Sequence, residues 1–187
     1  MKYDPRVHHR RSIRLQRYDY SQSGAYFVTI CTQNRDMLLL PQVVREVVQS
    51  TWDGLPNRFR HIALDEFIIM PNHVHGIIMF TNPDIEPNAA RPGLAAVVGA
   101  FKSISAIAAN RLLGRSGMPF WQRNYYEHII RSEAKLNQIR QYILDNPAKW
   151  TEDPNNPENI AQMRALPGRG VVVLANVGAG QAHAPTG

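Results

Sequence analysis

Ten residues, Met70 to Met79, constrain this chain more than any others: Met-Pro-Asn-His-Val-His-Gly-Ile-Ile-Met. An apolar run enters the segment at Phe67-Ile68-Ile69 and another leaves it at Ile77-Ile78-Met79-Phe80. Between them Pro71-Asn72 is a turn signal, so the segment predicts two strands joined by a tight reversal. His73 and His75 open the second strand. Side chains two apart in a strand share a face, so the two imidazoles stand side by side. Imidazoles displayed in this way suit a divalent metal, although a histidine pair alone is more often a packed or hydrogen-bonded core feature.

The surrounding pattern alternates strands and helices. Tyr26 to Thr32 is β-branched and aromatic, a strand. Pro41 opens a helix with Val43, Val44, Val47, Val48 and Leu55 at helical spacing. Ile62 to Met70 and His73 to Thr81 are the paired strands. Asn82 to Pro92 is a loop, and Leu94, Val97, Val98, Phe101, Ile104 and Leu112 mark a second helix. Phe120 to Arg131 predicts a fourth strand. Ser132 caps a third helix that stops near Asn146-Pro147. The order is a split β-α-β pattern: an α+β, ferredoxin-like sandwich with an antiparallel sheet, helices on one face and an added C-terminal helix.

That fold hosts many activities, so function must come from side chains. The 187 residues are 44% hydrophobic and 19% charged, which suits one globular core. The division expected is a basic arm over 1–24, a catalytic domain over 25–150, and an extension with a disordered tail over 151–187. Within the tail, Val171 to Leu174 is a candidate edge strand. No apolar run is long enough to span a bilayer and no signal region opens the chain, so a cytoplasmic protein without a membrane partner is expected. One cysteine, Cys31, excludes a disulfide framework or a thiolate metal cluster and reads as a core thiol.

The formal charge is +6, and Lys2, Lys102, Lys135 and Lys149 are its only lysines. Positive charge is therefore mostly guanidinium, the group that pairs bidentately with phosphate. Arg10, Arg11, Arg14 and Arg17 crowd the first residues, a density typical of arms that meet nucleic acid. Lys102, Arg123 and Lys135 are further candidates for DNA contact.

On the third helix, Leu136, Ile139 and Ile143 form the apolar stripe. Tyr142 lies at its edge and Asn146 follows one turn later, with Lys135 and Gln138 on the same flank. Alone, Tyr142 reads equally well as an amphipathic packing residue. Three blocks alter the balance: Met-Pro-Asn-His-Val-His-Gly, Phe-Trp-Gln-Arg-Asn-Tyr-Tyr-Glu-His-Ile-Ile-Arg, and Tyr-Ile-Leu-Asp-Asn-Pro-Ala-Lys. In this order and spacing they resemble the single-tyrosine HUH transposases, and within them the REP-associated tyrosine transposases, over about residues 10–150.

The resemblance implies that His73 and His75, with Asn146 as a third polar ligand, hold Mg²⁺ or Mn²⁺. It implies Tyr142 as the nucleophile, giving a 5′-phosphotyrosine on single-stranded, hairpin-containing DNA, in a monomer or homodimer. Tyr125 and Tyr126 fall in the strand block, where stacking or packing is expected of them, and Glu127 and His128 are expected to make supporting polar contacts. The alternative from another class is a non-catalytic nucleic-acid-binding module on the same sandwich, and a third is a metal phosphoesterase using activated water.

Overall fold

A computed structural model describes residues 24–81, 92–153 and 156–159. The basic arm, with Arg10, Arg11, Arg14 and Arg17, lies outside the described residues, as do most of the loop after Thr81 and the Val171–Leu174 segment. Four strands form one sheet: β1 (Gly24–Cys31), β2 (Ile62–Ile69), β3 (His73–Phe80) and β4 (Tyr126–Ile130), in the order β2-β3-β1-β4 with all pairings antiparallel. With helices α1 (Gln42–Asp53), α2 (Leu55–Arg58), α3 (Leu94–Leu112) and α4 (Glu133–Asp145), the expected α+β sandwich is present.

Strand alternation gives each face of the sheet its own core. Tyr26, Val28 and Ile30 of β1 join Val74 and Ile78 of β3 beneath Val44, Val48 and Trp52 of α1 and Leu94, Val97, Val98 and Phe101 of α3. The opposite face carries Phe27, Ile77 and Ile130, covered by Ile139 and Ile143 of α4. At about 1.5–3 kcal/mol for each large apolar side chain removed from water, the first core carries most of the stability. The second has five buried members, and its job is to dock α4. Because His73, His75 and Ile77 share strand parity, the histidines open onto the α4 face.

Three expectations change in detail. The fourth strand is confined to Tyr126–Ile130. Upstream, Trp121 makes only an isolated bridge to Thr32, because its indole turns inward to donate to the Ser105 hydroxyl at 2.9 Å. In β2 the register shifts between Leu64 and Phe67, leaving Asp65 and Glu66 outside the ladder. Finally, the stretch after Trp150 is hydrogen-bonded where it is described. A short 3₁₀ turn, Trp150–Glu152, is braced by the Asn156 and Asn159 side chains, which donate to the carbonyls of Trp150 at 3.1 Å and Asp153 at 2.9 Å.

Candidate metal centre and nucleophile

The turn at Pro71-Asn72 is built to present His73. Its hairpin closes with Met70 N–H donating to the His73 carbonyl at 2.9 Å. Asn72 is fully buried, and its carbonyl accepts from both the backbone N–H and the hydroxyl of Thr32, each at 2.9 Å. Its side-chain amide donates to the Arg35 carbonyl at 3.1 Å. That bond orients the amide so that its oxygen accepts from His73 Nδ1 at 2.9 Å. His73 therefore carries its proton on Nδ1 and leaves Nε2 with a bare lone pair. His75 is held likewise, its Nδ1 against the Thr29 hydroxyl at 2.8 Å and its ring stacked on Phe27.

The two Nε2 atoms face each other at 3.0 Å. Buried lone pairs so close repel unless a proton or a cation relieves them. Burial depresses the basicity of both rings: it takes His75 down to about 3 and pushes His73 well below its ordinary value, with His75 and Arg35 adding to the effect on His73. A second proton on either ring is therefore disfavoured, and two neutral imidazoles so placed can turn their Nε2 lone pairs to a metal ion. Two cis ligands about 2.1 Å from an octahedral ion stand about 3.0 Å apart, the spacing found.

The third ligand atom comes from Asp153, whose Oδ2 lies 3.6 Å from His73 Nε2. The ligand atoms of His73, His75 and Asp153 all lie within 4.8 Å of one another, and all three residues are buried. Asp153 carries no signal in the sequence, where it sits in an Asn/Pro-rich stretch and reads as a loop residue. The 3₁₀ turn after Trp150 swings it back over the histidines, with the Trp150 ring 6.0 Å from that of His73. The donor set, two imidazoles and a carboxylate, suits a divalent ion.

Helix α4 brings Tyr142 to the same place. The Ser132 hydroxyl accepts from Lys135 N–H at 3.3 Å, so the expected N-cap is formed. Tyr142 lies edge-on to Phe27, and its hydroxyl is 3.5 Å from His75 Nε2. Burial raises the Tyr142 pKa, the Asn146 side-chain hydrogen bond opposes that rise, and the Asp153 charge adds to it. Asn146 is buried at the C-cap of α4. Tyr126 packs against Phe27 within the small core beneath α4, and Tyr125 packs against the main core.

The basic candidates divide. Lys102 is turned to the backbone, its ammonium donating to the carbonyls of Gln122 at 2.6 Å and Arg123 at 2.8 Å. Arg123 is exposed and Lys135 half-buried. Among the described residues, no helix is long and apolar enough to cross a membrane.

Residues 20–146 match the family model for IS200-like transposases. A candidate REP-associated tyrosine transposase of Haemophilus influenzae is 30% identical over 142 residues, which cover 71% of this chain and 75% of that one. An uncharacterised protein of the same organism is 36% identical over 172 residues, 81% of this chain and 96% of the relative. The fold is similar to a solved REP-associated tyrosine transposase bound to a REP hairpin, with a TM-score of 0.55 at 19% identity over 73% of this chain and 74% of that one. With a His-His-Asp metal cluster that supports metal-dependent HUH-type nuclease and strand-transfer chemistry, the chain belongs to the REP-associated tyrosine transposases of the IS200-like family.

Proposed function

We propose that this enzyme cuts and rejoins single-stranded DNA beside hairpin repeats through a covalent bond to Tyr142. The observation that carries the reading is the Tyr142 hydroxyl, 3.5 Å from a ligand atom of the metal cluster. Among the described residues, the other tyrosines near the sheet are engaged in packing. Mg²⁺ or Mn²⁺ on His73, His75 and Asp153, with Asn146 as a further amide ligand, would polarise a phosphate oxygen and neutralise its charge. The Asn146 amide also donates to the Tyr142 backbone carbonyl at 3.4 Å, which ties the two residues together at the end of α4.

In the reaction proposed, the Tyr142 hydroxyl oxygen bonds to phosphorus and the bond to the 3′-oxygen breaks. The products are a 5′-phosphotyrosine and a free 3′-hydroxyl, which takes the proton the phenol gives up. The phosphoester is conserved in the covalent link, so a second 3′-hydroxyl reverses the step and joins strands without a nucleotide cofactor. His73 and His75 are held by Asn72 and Thr29, which supports catalysis by positioning and charge neutralisation. One chain contains the histidines, the carboxylate and the tyrosine together, which supports cutting by a single chain, whether free or within a homodimer.

The relative solved with a REP hairpin supports hairpin DNA as the substrate class. We assign DNA contact to the arginines of the N-terminal arm, to exposed Arg123 and to Lys135, while Lys102 acts through the Gln122–Arg123 backbone it braces. The catalytic unit in this proposal runs from residue 25 to just past 150, so as to include Asp153. We place the enzyme in the cytoplasm, on nucleoid DNA.

The test is a denaturing gel after incubation with labelled hairpin oligonucleotides bearing single-stranded flanks and Mn²⁺. A protein–DNA adduct that disappears with chelator and in Tyr142→Phe is expected. Cleavage surviving Tyr142→Phe would assign the chemistry to activated water, and tight salt-sensitive binding without cleavage would make the protein a binding module.

A further inference from the structure

Asn34 and Arg35 both adopt positive φ, 54° and 61°. For two successive residues with side chains this is an uncommon backbone, least natural for a residue as long as arginine. The turn is held in place from the metal centre itself. The Arg35 carbonyl accepts from the Asn72 amide, and the other end of that amide holds His73 Nδ1. The conformation of Arg35 and the orientation of His73 are thus set by one side chain.

The guanidinium lies at this end of the sheet. Its charge acts on His73 and on Cys31, which are directly paired across β3 and β1. Strand parity puts both on the α4 face, the face on which the metal cluster opens. One terminal nitrogen of Arg35, Nη1, is buried and has no hydrogen-bond partner among the described residues.

A buried donor without an acceptor is costly, and a fixed cation beside a cluster that binds a cation is more so. An anion that arrives with the substrate would meet both needs. One carboxylate set against a divalent ion and Arg35 leaves two positive charges, which match a phosphodiester as it becomes dianionic under attack.

We propose that Arg35 is a catalytic residue whose guanidinium binds the phosphate attacked by Tyr142. The inference rests on the reading above. In the step it serves, the Tyr142 oxygen bonds to phosphorus, the 3′-oxygen leaves, and the phenol proton ends on that 3′-oxygen. Arg35 donates to a non-bridging oxygen throughout and exchanges no proton.

The experiment compares full-length wild type, Arg35→Ala and Arg35→Lys. The Asn72 contact is to the Arg35 carbonyl, so both variants keep it. Loss of a donor aimed at developing charge costs about 100-fold, and that drop is expected in single-turnover adduct formation by Arg35→Ala at saturating hairpin DNA. Arg35→Lys is expected to recover part of the rate, because it restores charge without the fork. Mn²⁺ affinity, read by paramagnetic resonance, is expected to be unchanged or tighter in Arg35→Ala. A structural role would weaken it. Calorimetry of the Mn²⁺-loaded protein is expected to show a loss of about tenfold in affinity for inorganic phosphate.

An Arg35→Ala rate within about threefold of wild type overturns the assignment, as does a fall in Mn²⁺ affinity that tracks the rate. A wild type that forms no adduct defeats the proposed function instead. The phosphate titration then still decides on Arg35, since equal affinity in wild type and Arg35→Ala overturns it.

Discussion

Arg140 on α4 grips Asp65 on β2 through two parallel hydrogen bonds, Nε to Oδ1 at 2.8 Å and a terminal nitrogen to Oδ2 at 2.5 Å. The β2 register shift frees Asp65 for this contact, and the guanidinium holds its carboxyl below the usual carboxylate range. Arg140 stands two residues before Tyr142, so the fork fixes the part of α4 that presents the phenol. The rest of the docking surface is the small core around Phe27 and Ile139. Small misplacements of a reacting group are costly, so Asp65→Ala is expected to slow adduct formation about tenfold or more while Mn²⁺ affinity holds. The exchanged pair, Asp65→Arg with Arg140→Asp, should recover part of the rate. No recovery, together with a matching loss of thermal stability, would reduce the pair to a scaffold contact.

Asp153 makes a second prediction. Residues one shell out from a metal are worth about 10–100-fold in affinity, so losing a ligand carboxylate should reach at least the upper end of that range. Asp153→Ala is expected to weaken Mn²⁺ binding accordingly, with hairpin DNA affinity unchanged at constant salt. Unchanged Mn²⁺ affinity in Asp153→Ala, with the loss appearing in Asn146→Ala, would make Asn146 the third ligand.

The two ligand candidates also show what a sequence can and cannot disclose. His73 and His75 were legible because strand parity is a local rule, and the turn before them carries its own signal in Pro71-Asn72. Tyr142 and Asn146 were legible as neighbours on one flank of a helix, but their distance from the histidines depends on α4 crossing the sheet on the face opposite α1 and α3. Asp153 was not legible, since a lone aspartate among asparagines and prolines has no periodicity, and its position comes from a turn braced by Asn156 and Asn159. Lys102 shows a related limit. Charge can be counted in a sequence, but whether a lysine faces solvent or donates to two carbonyls cannot.

The buried imidazoles predict a pH dependence with a definite sign. In the folded chain burial takes His75 down to about 3 and lowers His73 well below its ordinary value of 6.5. Above pH 6.5 both are neutral whether folded or unfolded, and contribute no pH dependence. Below it the unfolded chain takes up protons that the folded chain refuses, so stability falls by about 1.4 kcal/mol per pH unit for each imidazole. His128, lowered by partial burial and by Lys135 and Arg131, acts in the same direction. Asp65 adds only as pH falls through its unfolded value of 3.8. The melting temperature of the metal-free protein is expected to be flat between pH 7 and pH 8 and to fall from about pH 6.5 toward pH 4. His75→Gln should flatten that slope. An equal slope in wild type and variant would show that the imidazole titrates normally.

Gly76, between His75 and Ile77, joins the site to the main core. A Cβ there would sit 2.5 Å and 2.6 Å from two carbons of the Trp52 indole and 2.9 Å from the Phe67 ring. Trp52 cannot easily yield: it is stacked on Phe67 with centroids 4.3 Å apart and meets Phe101 edge-on at 5.4 Å. Gly76→Ala must therefore shift either the stacked rings or the strand that carries both ligand histidines. Overpacking of this kind costs about 1–3 kcal/mol. In a chain of this size each kcal/mol lowers the melting temperature by about 2–4 °C. If the strand moves, Mn²⁺ affinity falls along with stability; if the rings move, stability alone falls. A Gly76→Ala protein that melts with wild type would mean that the indole does not lie against β3 in solution.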